Sequence, residues 1–282
     1  MSQNTESNKS DPNRSGSGWS EILSGQYAVY TLLLTMGTIL FAVNSFVVST
    51  IMPSIAAEIG GMQYYSWSFS LFAVGSVIGG ASAGPMRDAL GDRTSYAGAG
   101  LMMVIGLVGA ALADDMLVLV FWRFFQGLGG GAIVAQSYGM VGSMYPAHLR
   151  GRILSVISTV WGVATLIGPG FGAIFAELGN WRGAFWGLGV LSILITLAAW
   201  KIIQSTEGHG KLSAIPYRRL ILLGSSVLLL SLTSQVDDNL MRGLLIAASV
   251  ILAVFVFRLD ARAEKPMLPR KAMDIFSTMG MA

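Results

Sequence analysis

Apolar residues run along this chain in long blocks separated by short polar connections. A bilayer core about 30 Å thick needs about 20 apolar residues per helix, and eight blocks are candidates for such spans. They run from Tyr27 to Ile51, Ser66 to Met86, Tyr96 to Ala113, Met116 to Val141, Ile153 to Ala176, Gly183 to Ile203, Leu220 to Leu232 with its flanks, and Leu240 to Phe257. The pattern predicts an all-α, multi-pass membrane protein. Residues 1–26 are polar and rich in Ser, Asn and Gly, with no basic stretch leading an apolar one. They read as a disordered cytoplasmic tail rather than a signal peptide, so the first span serves as its own insertion signal.

Composition supports the membrane reading. Of 282 residues 53% are hydrophobic and 12% charged, where a soluble domain carries about 25% charge. The mean hydropathy is +0.63. There is no cysteine, and the two histidines, His148 and His209, lie in polar connections. No metal centre, cofactor site or nucleophile–base constellation can be assembled from such a set, so neither an enzyme nor a cofactor is expected.

The pI of 9.3 raises the question of nucleic acid, and the positions of the basic residues answer it. With the amino terminus in the cytoplasm, Lys and Arg fall in inner connections, at residues such as Arg87, Arg93, Arg150, Arg152, Lys201 and Lys211. Only Arg182 and Arg242 fall outside, and Arg123 lies within a span. Basic bias sets membrane orientation, so the charge is a topology signal. Outer connections carry Glu58, Asp114, Asp115, Glu177, Asp237 and Asp238, and no carboxylate falls well inside a span.

Arg123 is the exception that asks for a function. It sits in the otherwise uncharged block from Met116 to Met140, where a cation costs about 2.5 to 3.5 kcal/mol on insertion scales. Arg123, Gly127, Gly131, Ala135 and Gly139 recur every four residues, which puts small residues on one face for close helix packing. An arginine snorkelling toward the outer interface is one reading; a polar cavity, favoured by the neighbouring Gln126, is the other.

Several motifs occur in order. Gly84-Pro85-Met86-Arg87-Asp88-Ala89-Leu90-Gly91-Asp92-Arg93 closes the second span, with Gly84 suited to close approach, Gly91 to a turn, and Asp88 to a basic partner or helix amino terminus. The fourth span carries Leu119, Arg123, Gln126, Gly127 and Gly129; the fifth carries Ala164 and Gly168-Pro169-Gly170-Phe171-Gly172, a kinked, small-residue face. In the first span Asn44 opens Asn-Ser-Phe-Val-Val-Ser-Thr-Ile-Met-Pro, and Asn180-Trp181-Arg182 leads into the sixth.

Together these motifs resemble those of the major facilitator superfamily, and in particular its fourteen-span multidrug drug/proton antiporter branch, over residues 27–280. Departures are Ala89 where that pattern has Arg, Asp92 for the first of a basic pair, Ala173 for a second glycine, and Asn44 for Asp. The resemblance implies a six-helix transporter half at 27–204, a cytoplasmic linker at 205–216 and two additional helices at 217–259. A cytoplasmic loop at 260–282, with Pro266-Met267-Leu268-Pro269, leads to the start of a ninth helix, Ile275 to Ala282, that stops short. The chain therefore reads as the amino-terminal portion of a longer protein, with a naturally short one as the alternative.

The implied function is alternating-access transport of small molecules across the cell membrane, most of all efflux of drugs or amphipathic compounds in exchange for protons. Asn44, Arg123 and Gln126 are the expected cavity residues, with Phe41, Phe124 and Trp161 as softer candidates. Gly84, Asp88, Gly91 and Arg93 form the expected inner-gate loop, and Gly127, Gly131, Ala164, Gly168, Pro169 and Gly172 the packing and kink set. An amide at position 44 binds but carries no proton, and arginine stays protonated, so coupling is assigned to a second half or to Asp88. Expected partners are a small-molecule substrate, the bilayer, protons, and a carboxy-terminal half or second copy, with no nucleic acid. A transport-inactive scaffold or regulatory product and a facilitator for sugars or organic acids are the alternatives.

Overall fold

The computed structural model describes residues 14–208, 216–233 and 236–263. Within them lie nine α-helices and one short 3-10 turn: α1 (Arg14–Ile22), α2 (Gly25–Ile59), the turn Met62–Tyr64, α3 (Tyr65–Leu90), α4 (Asp92–Ala111), α5 (Met116–Met144), α6 (Ala147–Glu177), α7 (Trp181–Ile202), α8 (Tyr217–Leu232) and α9 (Asn239–Ala261). Seven of these elements are long and apolar enough to cross a membrane. The seventh expected span, α8, has only 16 residues, about 24 Å at 1.5 Å per residue.

Local chemistry explains the breaks. The Asp115 carboxylate accepts the Val118 N–H at 3.0 Å to start α5, and the Asn180 side chain accepts that of Gly183 at 3.1 Å to start α7. Gly91, at φ +78°, turns the chain from α3 into α4 in a conformation that other residues adopt with strain. Arg150 donates to the last carbonyls of α5, Gly142 O at 2.7 Å and Tyr145 O at 3.0 Å.

Helix α5 is the centre of the bundle. It packs on α3 along one face and on α4 along another, with α2 over a third; α6 lies against α2, and α7 against α4 and α2. A Cβ on Gly75 or Gly79 of α3 would run into the α5 backbone at Phe124 and Leu128. One on Gly127 or Gly131 would run into the α3 backbone at Phe72 and Ser76. Lipid offers no hydrophobic drive between helices, so this backbone-to-backbone fit is what fastens the pair. Large apolar side chains point outward on α7 and α9, among them Val190, Leu194, Leu197, Ile251 and Phe255, as expected where the solvent is hydrocarbon.

One expectation changes, and two gain detail. The tail expected to lack structure through residue 26 is helical from Arg14 to Ile22. Ile22 is wholly buried and its carbonyl accepts the Thr31 hydroxyl at 3.1 Å, so apolar and hydrogen-bonding contacts supply what local composition lacks. The 205–216 linker is anchored where it leaves α7, because Thr206 Oγ1 accepts the Asp92 N–H at 2.9 Å. Helices α8 and α9 form a hairpin laid on α3. His209, Lys211, the Pro266–Pro269 stretch and the start of the ninth helix at Ile275 lie outside the described residues.

Candidate functional site

Asn44 from α2, Gln126 and Arg123 from α5 meet in the bundle interior, each with no exposed surface. Gln126 Oε1 accepts from Arg123 Nη1 at 2.6 Å and from Asn44 Nδ2 at 3.3 Å, while Gln126 Nε2 donates to Gly106 O of α4 at 2.9 Å. One amide thus ties three helices. The spacing of Arg123 and Gln126, three residues apart, puts both on one helix face. Gly106 lets α4 come close enough to be reached, since a side chain there would strike Gln126.

The guanidinium lies 4.0 Å from the ring centroid of Phe72 on α3, a cation–π contact. Phe72 stacks on Phe41 of α2 at 5.3 Å, and Phe41 meets Trp161 of α6 edge-on at 5.9 Å. An aromatic layer drawn from three helices therefore covers the charge. Phe41 and Trp161 were softer candidates from sequence. Phe72 was not, because a phenylalanine in an apolar block gives no signal until its neighbour is known. Phe124 lies on the same helix as Arg123 and packs edge-on against Phe125.

No carboxylate pairs with Arg123 among the described residues. Its Nε and Nη2, and the Asn44 Oδ1, are buried without a hydrogen-bond partner. Buried polar groups are almost always satisfied, and those left open concentrate at sites that take something else. Snorkelling is excluded by this geometry, since the side chain turns into the bundle and has no exposed surface.

The two ends of the bundle are built differently. At the end carrying Arg87 and Arg150, Arg87 Nε pairs with Asp92 at 2.7 Å, and Arg93 lies over the Trp200 ring at 4.8 Å. The expected gate partner, Asp88, is exposed and has no partner among the described residues. Gly84, expected to permit close helix approach, faces open space among the described residues; Gly75 and Gly79, nine and five residues earlier, make the close approach to α5. The sequence pattern could not tell which glycines of α3 face α5. At the opposite end Glu58 of α2 accepts the Trp181 indole N–H at 2.8 Å and pairs with Arg182, which also donates to Ala113 O at 3.0 Å.

The packing set is placed as follows. Gly127 and Gly131 face α3; Ala164 is wholly buried, and Gly168 and Gly172 face α2 at Phe46 and Val47. Pro169 lies inside α6. One ion pair was not singled out from sequence: Asp260 of α9, with 1% of its side chain exposed, pairs with the partly exposed Arg219 of α8. Its signal is faint, an acid at the end of one apolar block and a basic residue at the start of the one before.

A family model, Major Facilitator Superfamily, matches residues 34–264. A probable multidrug-efflux transporter of Mycobacterium tuberculosis is 35% identical over 263 residues, covering 89% of this chain and 55% of that protein. Multidrug resistance protein 3 of Bacillus subtilis is 26% identical, covering 87% and 48%. Among solved structures a D-xylose-proton symporter superposes with a TM-score of 0.58 at 18% identity, over 83% of this chain and 67% of that one. The chain spans about half the length of the curated relatives it matches.

Proposed function

The chain belongs to the Major Facilitator Superfamily, and from that premise we propose that it forms the amino-terminal part of a drug-efflux transporter working by alternating access. Its substrates are drugs or other amphipathic compounds, exchanged for protons across the cell membrane, with the amino terminus in the cytoplasm. The observation that carries this reading is the wholly buried Asn44–Gln126–Arg123 group, a charge that has no counter-ion among the described residues, in a helix long and apolar enough to span the bilayer. An intramembrane ionisable group of that kind marks a substrate or ion path by default. The names of the relatives, which are 26–35% identical, favour efflux of drugs over other transport.

In this scheme Arg123 is the fixed positive end of the binding site, Gln126 holds it in place, and Asn44 presents an amide from the facing helix. The stacked Phe41, Phe72 and Trp161 supply the apolar wall. The Arg87–Asp92 pair and the Glu58–Trp181–Arg182 cluster act as latches at the inner and outer ends, the outer pair being half-exposed and so opening at small cost. Basic residues at the Arg87 end put that end in the cytoplasm. Proton exchange falls to groups other than these, since neither an amide nor an arginine titrates in the working range.

Because the chain covers about half of its relatives' length, transport requires a second half or a second copy to rock against. The test is a resistance panel of toxic compounds on the complete protein in an efflux-deficient strain. Raised tolerance to several amphipathic compounds, lost in Arg123→Gln at equal membrane levels, is the expected result. Unchanged tolerance across the panel would refute drug efflux.

A further inference from the structure

The open edge of Arg123 has a shape of its own. A guanidinium is planar and presents five N–H donors in fixed directions. Here Nη1 is used by Gln126 at 2.6 Å, whereas Nε and Nη2 have no partner. Nε–H and the nearer Nη2–H point the same way, as two parallel donors. That side-on fork is matched by the two oxygens of a carboxylate, each taking one N–H. Gln126 cannot swing across to fill it, because its oxygen already accepts twice and its amide nitrogen is bonded to Gly106 O at 2.9 Å. The Phe72 ring lies against the guanidinium, and with Phe41 and Trp161 it offers apolar surface on three helices.

Resting on the transporter reading, we infer that this site takes the carboxylate of an amphipathic organic acid, held by the Nε/Nη2 edge of Arg123 with its apolar body against Phe72, Phe41 and Trp161. Lipophilic cations are disfavoured there, since among the described residues no acid accompanies the arginine. Asn44 Oδ1, a buried acceptor without a donor, favours acids that also carry a hydroxyl or N–H group.

The probes are pyrenebutyric acid, its methyl ester, and a pyrenebutyl-trimethylammonium ion, matched in apolar body and differing in charge. Binding to the purified full-length protein is read as energy transfer from tryptophan to pyrene, and transport as movement of each probe in proteoliposomes. The acid is expected to bind at least about tenfold more tightly than the ester or the cation, a factor equal to about 1.4 kcal/mol. Arg123→Lys keeps a charge but lacks the planar fork, so it should lose about tenfold for the acid and nothing for the ester. Asn44→Asp leaves the arginine in place and supplies an internal carboxylate; it should abolish the preference for the acid without unfolding the protein.

Equal affinity for acid and ester, or an acid affinity unmoved by Arg123→Lys, would overturn the carboxylate assignment while leaving the transporter reading intact, provided the proteoliposomes still move the probes. If no probe binds or moves, the carboxylate assignment falls, while the resistance panel on the complete protein decides the transporter reading.

Discussion

Arg219 and Arg123 both lie against neighbouring helices of this protein, and they are treated in opposite ways. Arg219, in the α8–α9 hairpin, pairs with the buried Asp260. Arg123, in the six-helix body, has an amide, an aromatic face and two donors left open. A charge brought into a low-dielectric interior is expensive unless compensated. Where compensation is complete the pair fixes how two helices sit; where it is withheld the cost is tolerated for what the charge can bind. The hairpin also closes its polar groups reciprocally, since Ser226 and Ser249 each donate to the other's carbonyl, at 3.0 and 2.8 Å.

This contrast can be broken by substitution. Asp260→Ala should have the largest effect on stability, about 3 kcal/mol, because it removes a wholly buried carboxylate that pairs with the partly exposed Arg219. The double change Asp260→Leu with Arg219→Met should recover most of that loss, and thermal denaturation of the detergent-purified protein reads both. Arg123→Met should do the reverse. It relieves an insertion cost of about 2.5–3.5 kcal/mol, so membrane yield and melting temperature should hold or rise while efflux is lost. A melting temperature that falls as far as that of Asp260→Ala would make Arg123 structural and collapse the distinction.

Gly79→Leu comes next. A side chain at this position meets the Leu128 backbone, so α3 and α5 must part, with an expected loss of about 1–3 kcal/mol. Gly84→Leu, facing open space, should be neutral in the same assay. The smallest effect is expected from Glu58→Gln, which keeps an acceptor for the Trp181 indole but removes the ion pair with Arg182. Its half-exposed setting predicts a slight fall in melting temperature at low salt that vanishes at high salt.

Much of the candidate site could be read from the chain because its parts obey local rules. An arginine in an apolar block is costly wherever the block folds, and Gln126 three residues on shares its face. The glycine repeat of α5 likewise implies one close-packed face, though not its partner. What stayed hidden depended on a second helix: Phe72 over the guanidinium, Gly106 opposite Gln126, and the Asp260–Arg219 pair across 41 positions. Gly84 shows the same limit from the other side, a motif glycine whose neighbour, in the described fold, is open space.

The sequence by itself determined that this is a helical membrane protein, how its basic residues divide between the two ends, and where a buried charge would fall. Each follows from the energetics of one residue in lipid, which depends on segment length and charge and not on neighbours far along the chain. Only the tertiary structure decided which ring covers the charge and which of its donors stay open among the described residues. Those properties belong to distances between helices, set by backbone approach at Gly75, Gly79, Gly127 and Gly131, and no single segment contains them.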